Sequence, residues 1–450
     1  MDDRLKVGFS MIKLILFQFN YAKKILFGAI PLLLVSSMVV GTSLIGINSA
    51  SKTAVTAIQL FQMLIFFGGL TLFFIVSNII QFLIDIFKDE YRLWSTLGAS
   101  HLHISLLISG QLFITSLITS VFGTALSFAV INNYYVFLQN LTSSHELPNL
   151  TVVFDIKTFI LSVIIVPIIV GISAYFYSRK ELKKEEIIEQ KQGHKYLAIG
   201  VKLILWAVSI GVWVLCVNSL MADTAGKSTS EILQQTSAVL FLLLIHLLFI
   251  QMITPKVQLF LLQLISKVIP LKNYAFIVGK WNISFNPTYF KNLQASVTMG
   301  ITLVSGFLLY VQNTYMGSHL DSIKEATFSF IAYLSAPILI ILANTISITI
   351  LSSNQDKNEL LQLKILGASN KNLIMIKAAE AFLHSLMIFV VSFGFNLIIL
   401  FSVNYGVRLL GHHLNTINSV WLPNVTLSGI VCVFYLVTKL LSTNSYRSSF

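Results

Sequence analysis

Two ionisable residues, Glu380 and His384, lie four positions apart inside a long apolar stretch of the sequence. In a helix this spacing places both side chains on one face, one turn apart. Ionisable groups at membrane depth are costly and are therefore functional candidates. A carboxylate and an imidazole together could relay protons, or they could make a polar contact between helices.

A second feature is a segment that occurs twice, at an offset of 269 residues. The copies span 88–113 and 357–382 and are identical at seven positions. Each contains a Glu, six further residues and then Leu-Gly-Ala-Ser. These residues are Glu90, Leu97, Gly98, Ala99 and Ser100 in the first copy, and Glu359, Leu366, Gly367, Ala368 and Ser369 in the second.

The residue types of this segment predict a helix, a tight bend and a second helix. The glycine can adopt the left-handed conformation that ends a helix, and the serine can cap the helix that follows. The next polar residues, including His101 in one copy and Lys371 in the other, suit a first turn. One such segment could be a hairpin that merely connects two spans. Its recurrence at a single offset favours a shared mechanical role.

The composition places these residues in a membrane protein. The 450 residues are 56% hydrophobic and 11% charged, with mean hydropathy +0.82. A soluble domain usually carries about 25% charged residues, so soluble enzymes, disordered proteins and disulfide-rich secreted proteins are excluded.

Cys216 and Cys432 lie in apolar runs and form no disulfide framework. His412 and His413 lack further ligands, so no metal site is predicted.

Apolar runs of membrane-spanning length predict ten transmembrane helices. The runs are 25–47, 57–82, 104–131, 159–177, 197–220, 237–253, 293–311, 328–352, 374–403 and 427–441. The last run is short unless it starts near Trp421. Of the 30 Lys and Arg residues, 25 fall in the alternate segments that include both termini. Because positive charge is enriched in cytoplasmic loops, both termini are predicted to be cytoplasmic.

Each copy of the repeated segment lies between the second and third span of a four-span group. The sequence therefore predicts an all-α protein with a 4+2+4 arrangement and two parallel repeats. Residues 1–178 would form an interfacial helix and the first four-helix unit, 179–253 a charged linker and two-helix spacer, and 254–450 a second interfacial helix and unit. Gln111 takes the place of Glu380 in the first copy. For Glu380 we therefore favour a polar contact at the repeat interface over proton relay.

The pair of Glu-x6-Leu-Gly-Ala-Ser segments resembles the FtsX-like (MacB-type) permease family of ABC transporters, whose members carry this loop between the second and third helices of a four-helix unit. Residues 281–287 are similar to the cytoplasmic-surface helix that precedes the unit. The layout is similar to the ten-span branch, associated with export of, or resistance to, antimicrobial peptides. Many relatives insert a large extracellular domain, but here the corresponding connections, 48–56 and 312–326, are short.

The resemblance implies a permease subunit of the bacterial plasma membrane, without enzymatic activity or a bound cofactor of its own. The chain contains no G-x-x-x-x-G-K-[ST] loop, so ATP and Mg²⁺ would be bound by a partner, a cytoplasmic ABC ATPase expected as a dimer. Residues 90–101 and 359–371 would contact it. The implied substrate is amphipathic, such as an antimicrobial peptide, a bacteriocin or a lipid.

The other expected partner is membrane lipid, and a second permease or accessory subunit is left open. Nucleic acid is not expected, because the basic residues are spread over six inner segments. Two other functions are compatible with the residues. One is a secondary transporter driven by an ion gradient, in which Glu380 and His384 would be essential. The other is a peptide-sensing or immunity membrane protein that moves no substrate.

Overall fold

The computed structural model of the chain describes residues 2–50, 55–141, 147–187, 206–219, 273–285, 287–314, 320–409 and 418–447, with short helical stretches between 242 and 264. Regular secondary structure in these residues is helical, which confirms the predicted all-α class. The helices are α1 (Asp2–Leu26), a 3₁₀ turn (Phe27–Ala29), α2 (Ile30–Ser49), α3 (Val55–Ile86), α4 (Lys88–Thr96), α5 (His101–Leu141), α6 (Ile156–Ile187), α7 (Trp206–Ser219), α8 (Tyr274–Phe285), α9 (Pro287–Thr314), α10 (Leu320–Ile365), α11 (Asn370–Leu409) and α12 (Asn418–Arg447).

Among the described residues, six helical segments are long and apolar enough to cross a membrane. They are Phe27–Ser49, His101–Leu141, Ile156–Lys180, Leu334–Ser352, Asn370–Phe401 and Val420–Thr438. Shorter apolar helices at Thr56–Leu72, Trp206–Ser219 and Leu293–Leu309 coincide with the predicted second, fifth and seventh spans. The chain is therefore an all-α, multi-pass membrane protein.

The count of ten spans and the 4+2+4 layout stay predictions. Most of the predicted sixth span, 237–253, lies outside the described residues, as do the start of the fifth and the linker from 188 to 205. The same holds for most of the predicted interfacial segment after 254 and for the His412–His413 pair.

The third predicted span and its helix end at different places. The apolar run ends at 131, but α5 continues to Leu141. Polar residues such as Asn132 and Asn133 end an apolar run without ending a helix. The last turns of α5 hold the chain that follows: the Tyr135 hydroxyl donates to Pro148 O at 2.7 Å, and Gln139 Nε2 donates to the same oxygen at 3.1 Å.

The tenth span begins earlier than residue 427. Helix α12 begins at Asn418 and its apolar segment at Val420, which agrees with the alternative start near Trp421. Pro423 is the sixth residue of α12 and lies inside the helix. It lacks a backbone N–H group and so removes one hydrogen bond without ending the helix.

Contacts divide the chain into two compact units. Unit 1 comprises Met1–Gln192 and Ile323–Leu351, and unit 2 comprises Gly193–Ser322 and Ser352–Phe450. Helix α10 thus contributes its apolar segment to unit 1 and its last turns to unit 2. The predicted boundaries at 178 and 253 follow the sequence repeat instead, and that division stays a prediction.

Unit 1 is built from α2, α5 and α6, which pack against one another, with α3 on α2 and α6. Lipid supplies no hydrogen-bond partners, and several hydroxyl groups in these helices bond to the backbone of their own helix. On α2, Ser36 donates to Leu32 O at 2.7 Å, and Ser43 donates to Val39 O at 2.9 Å. The polar side chains of this helix are thereby compatible with a buried, apolar setting.

Helices α2 and α5 approach closely at Gly123. A Cβ atom at this position would lie 2.6 Å from the backbone oxygen of Leu34 and closer still to Ser37 Oγ. A backbone atom cannot swing away as a flexible side chain can. The contact therefore requires a residue without a side chain, as in other close helix crossings in membranes.

We predict that Gly123→Ala lowers the free energy of unfolding by about 1–3 kcal/mol, because the methyl group forces two helices apart. The measurement is unfolding of the purified protein in detergent. Gly69→Ala on α3 is the control, since a Cβ there would have no neighbour within 4 Å. Alanine favours helix formation, so the control should unfold at the same denaturant concentration or a higher one. Equal stability of both variants would contradict the prediction.

Candidate functional site

The repeated segment forms two similar loops, which we call loop 1 (residues 90–101) and loop 2 (residues 359–371). In loop 1, α4 ends in a Schellman motif: Ala99 N–H donates to Trp94 O at 2.9 Å, and Gly98 N–H donates to Ser95 O at 3.0 Å. Gly98 has φ +91°, a left-handed conformation that strains any residue with a Cβ.

Loop 2 has the same hydrogen bonds 269 residues later. Ala368 N–H donates to Leu363 O and Gly367 N–H to Lys364 O, both at 3.0 Å, and Gly367 has φ +90°. The serine after the bend caps the next helix in both loops. Ser100 Oγ accepts from His103 N–H at 3.4 Å, and Ser369 Oγ accepts from Asn372 N–H at 3.3 Å. The predicted helix, bend and capped helix are therefore confirmed.

The apex of each loop presents apolar side chains to the outside. Leu97 is 78% exposed and Leu366 is 81% exposed, and they occupy equivalent positions next to the bend. Leu93 in loop 1 and Ile365 in loop 2 are exposed as well. His101 begins the helix after loop 1, and Lys371 lies exposed in the first turn after loop 2. Each apex thus combines a fixed backbone with an accessible leucine.

The base of loop 1 faces its own unit. Glu90 Oε2 accepts a hydrogen bond from Gln18 Nε2 on α1 at 3.3 Å. Next to it, the Tyr91 side chain is buried and packs on Phe87 and Trp94. Burial, with the nearby Glu90 charge, raises the pKa of Tyr91 above its ordinary value, so the phenol stays neutral. These contacts fix α4 on unit 1.

The base of loop 2 contains a buried ion-pair cluster. Lys377, on α11, has a fully buried side chain. Its ammonium group lies 3.1 Å from Glu359 Oε2 and 2.9 Å from Glu380 Oε2. Glu359 belongs to the last turns of α10, while Glu380 lies one turn further along α11. One ammonium group therefore joins loop 2 to the helix that follows it.

Helix α8 runs alongside α11 and completes this cluster. Asn282 Nδ2 donates to Glu380 Oε1 at 2.7 Å. At the other end of α8, the Tyr274 hydroxyl donates to Asn372 Oδ1 at 2.8 Å. Between these bonds, Ala275 packs on Ile376 and Ala379, and beyond the Asn282–Glu380 bond, Ile283 packs on Leu383 and Met387. Residues 281–285 are thus part of a helix that follows α11 lengthwise.

The two other predicted polar residues are also buried. His384 lies one turn beyond Glu380, where Gln294 Nε2 is 2.8 Å from its Nδ1 and 3.0 Å from its backbone oxygen. Gln111 is buried in unit 1, and its Nε2 has no hydrogen-bond partner among the described residues. Glu380 and His384 therefore do contact other helices, and these contacts lie within unit 2. Among the described residues, no His, Cys, Asp or Glu cluster could hold a metal ion.

Sequence reasoning missed three residues of this site: Lys377, Asn282 and Gln18. Lys377 counted only as one inner positive charge, although its spacing of three from Glu380 fits an ion pair on one helix face. Asn282 lies inside the segment that resembles the family's surface helix. Its partner is 98 residues away, and no local pattern identifies such a partner.

Comparison with known families supports this architecture. Residues 62–185 match the family model described as FtsX-like permease C-terminal. The match runs from within α3 to near the end of α6 and includes loop 1. This part of the chain is thus similar to the FtsX-like permeases, the membrane subunits that generally work with an ABC ATPase, and the predicted resemblance is confirmed for these residues. No curated protein and no solved structure matches significantly.

We predict that Lys377→Met lowers the free energy of unfolding by about 3–5 kcal/mol, because it leaves two carboxylates without their buried counter-charge. The measurement is unfolding in detergent. Lys371→Met, an exposed lysine on the same helix, is the control and should change stability little. Adding Glu380→Gln to Lys377→Met should recover part of the loss. A loss of equal size in both lysine variants would contradict the assigned role of Lys377.

Proposed function

We propose that this permease couples ATP hydrolysis by a separate cytoplasmic ABC ATPase to the movement of an amphipathic substrate. The observation that carries the proposal is the duplicated build of loops 1 and 2, with the same bend, the same cap and an exposed leucine at the same position of each. Both loops, and both chain termini, would face the cytoplasm. An ATPase dimer with two equivalent sites would find two equivalent contacts.

The geometry of the loops suits force transmission. A Schellman motif followed directly by a capped helix leaves few rotatable backbone positions at the apex. A push on the apex therefore moves the attached helices instead of folding the loop. In loop 1 the attached helix is α5, whose 41 residues extend for about 60 Å at 1.5 Å per residue. Movement at one end is thereby carried through the unit.

The residues of each loop have separate roles in this proposal. Leu97 and Leu366 contact the ATPase, since they are the most exposed apolar residues of their loops. The glycine, alanine and serine of each copy set the shape of the bend. Glu90 is half-buried, and the side chain of Glu359 is 21% exposed. Because both carboxylates are bonded within their own unit, we assign them a positioning role.

The substrate class comes from the family resemblance. An antimicrobial peptide, a bacteriocin or a lipid would be exported or removed from the membrane.

The rival function, transport driven by an ion gradient, would depend on Glu380 and His384. In unit 2, Glu380 is paired with Lys377 and hydrogen-bonded by Asn282, an arrangement that suits a structural contact. Substrate movement that follows an ion gradient and ignores ATP would favour the rival.

The test is copurification of the chain with the products of its neighbouring genes, among which an ABC ATPase is expected, using Leu97→Asp, Leu366→Asp and the double variant. A charge at a buried apolar contact should cost about 2 kcal/mol or more. We therefore expect each single variant to weaken ATPase binding at least tenfold and the double variant to abolish it.

The matched control is Val153→Asp. Loop 1 precedes the first residue of α5, whereas Val153 lies in the segment after its last residue. Val153 is also an exposed apolar residue, at 53%, so the substitution tests the effect of a new charge away from the loops. ATPase binding should be unchanged in this variant. Undiminished binding of the ATPase by the double loop variant would contradict the proposal.

A further inference from the structure

Loops 1 and 2 are alike at the apex but differ at the base. In loop 2, Glu359 is held by the buried ammonium group of Lys377, which also holds Glu380. At the offset of 269, the positions of Lys377 and Glu380 are occupied by Ile108 and Gln111 in the first copy. The first copy therefore lacks the residues for this cluster. Its Glu90 instead accepts from the neutral amide of Gln18.

The cluster in unit 2 reaches further than the loop. Tyr274 on α8 bonds to Asn372 on α11, and Asn282 on α8 bonds to Glu380 on α11. The two bonds are eight residues apart along each helix. Equal spacing in the same direction means that α8 and α11 run parallel over about 12 Å. Asn282 and Glu380 thus attach α8 to the same group of side chains that holds loop 2.

We propose that Glu359, Lys377, Glu380 and Asn282 form a buried linkage that transmits displacement of loop 2 to α11 and α8. Because Ile108 and Gln111 replace Lys377 and Glu380 in the first copy, this set of charged residues is not repeated there, and one ATPase dimer produces unequal responses in the two units. The inference rests on the proposed function and adds to it a division of labour between the loops.

The physical basis is the ion pairing of one buried ammonium group with two carboxylates. Hydrogen bonds with an ionised donor or acceptor are roughly twice as strong as neutral ones, and in both bonds of Lys377 the donor and the acceptor are ionised. The Lys377 side chain is fully buried and that of Glu380 is 4% exposed, so displacing Glu359 would break an ionic hydrogen bond in surroundings that offer the ammonium group no water in its place. Loop 2 and α11 therefore move together. The bond between Gln18 and Glu90, at 3.3 Å, is longer and neutral on the donor side.

The test follows α8 directly while the ATPase binds nucleotide. Cys216 and Cys432 are replaced by alanine, and Ser284→Cys, at an exposed position of α8, is labelled with an environment-sensitive fluorophore. The labelled permease is reconstituted with its ATPase in lipid nanodiscs. The signal is the change in fluorescence when a non-hydrolysable ATP analogue is added.

Glu359→Gln is the informative variant, because it removes one bond of the linkage but leaves the Lys377–Glu380 pair intact, so the protein should still fold. We expect it to reduce the α8 signal at least threefold, with ATPase copurification unchanged. Glu90→Gln is the same substitution in loop 1 and should leave the α8 signal at its original size. Glu359→Asp, which keeps the charge, should restore part of the signal. A role confined to stability would change the melting temperature but not the signal.

The outcomes separate the two proposals. If the ATPase copurifies and Glu359→Gln gives the full signal, the linkage is contradicted and the proposed function stands. Equal loss of signal in Glu359→Gln and Glu90→Gln would also contradict the unequal roles of the loops. If the unaltered chain binds no ATPase, the proposed function fails, and the inference fails with it.

Discussion

The lack of hydrogen-bond partners in lipid is the constraint on which this structure depends. Every backbone polar group at membrane depth must find a partner inside the protein, and an unpaired polar side chain there is costly. Small hydroxyl groups meet this requirement within one turn, as on α2. Larger groups need a second helix: Asn396 Nδ2 on α11 donates to Asn424 Oδ1 on α12 at 2.9 Å. The ammonium group of Lys377 finds its partners in two carboxylates, Glu359 on α10 and Glu380 on α11. These ion pairs connect the end of α10 to α11 in addition to the apolar packing between helices.

The same constraint explains which features could be predicted from the sequence. The bends at Gly98 and Gly367 depend on residues within ten positions, because a left-handed glycine and a capping serine act on the nearest backbone. The sequence therefore predicted them correctly. Helix ends were predicted less well, since hydropathy reports the preferred surroundings of a residue and not its backbone hydrogen bonds. Hence α5 extends past its apolar run to Leu141, and α12 begins before Pro423.

The partners of the candidate site were beyond such reasoning. The bond between Gln18 and Glu90 joins residues 72 positions apart, and that between Asn282 and Glu380 joins residues 98 apart. Which side chains meet over such distances depends on how α1 packs on α5 and how α8 packs on α11. One signal was nevertheless present in the sequence. At the offset of 269 residues, Ile108 occupies the position of Lys377. The two copies therefore differ at this buried position, although they share the exposed leucine at Leu97 and Leu366.

This contrast between surface and interior follows from what each part must fit. A partner with two equivalent sites requires two equal apices, so the bend, the cap and the exposed leucine must agree in both copies. The base of each loop fits only its own unit, and its contacts can differ without changing the apex. The Gln18 amide at Glu90 and the buried Lys377 ammonium at Glu359 thus support the same outer shape by different contacts. In the mechanism that we propose, two equal pushes on the apices would then produce unequal movements of the helices behind them.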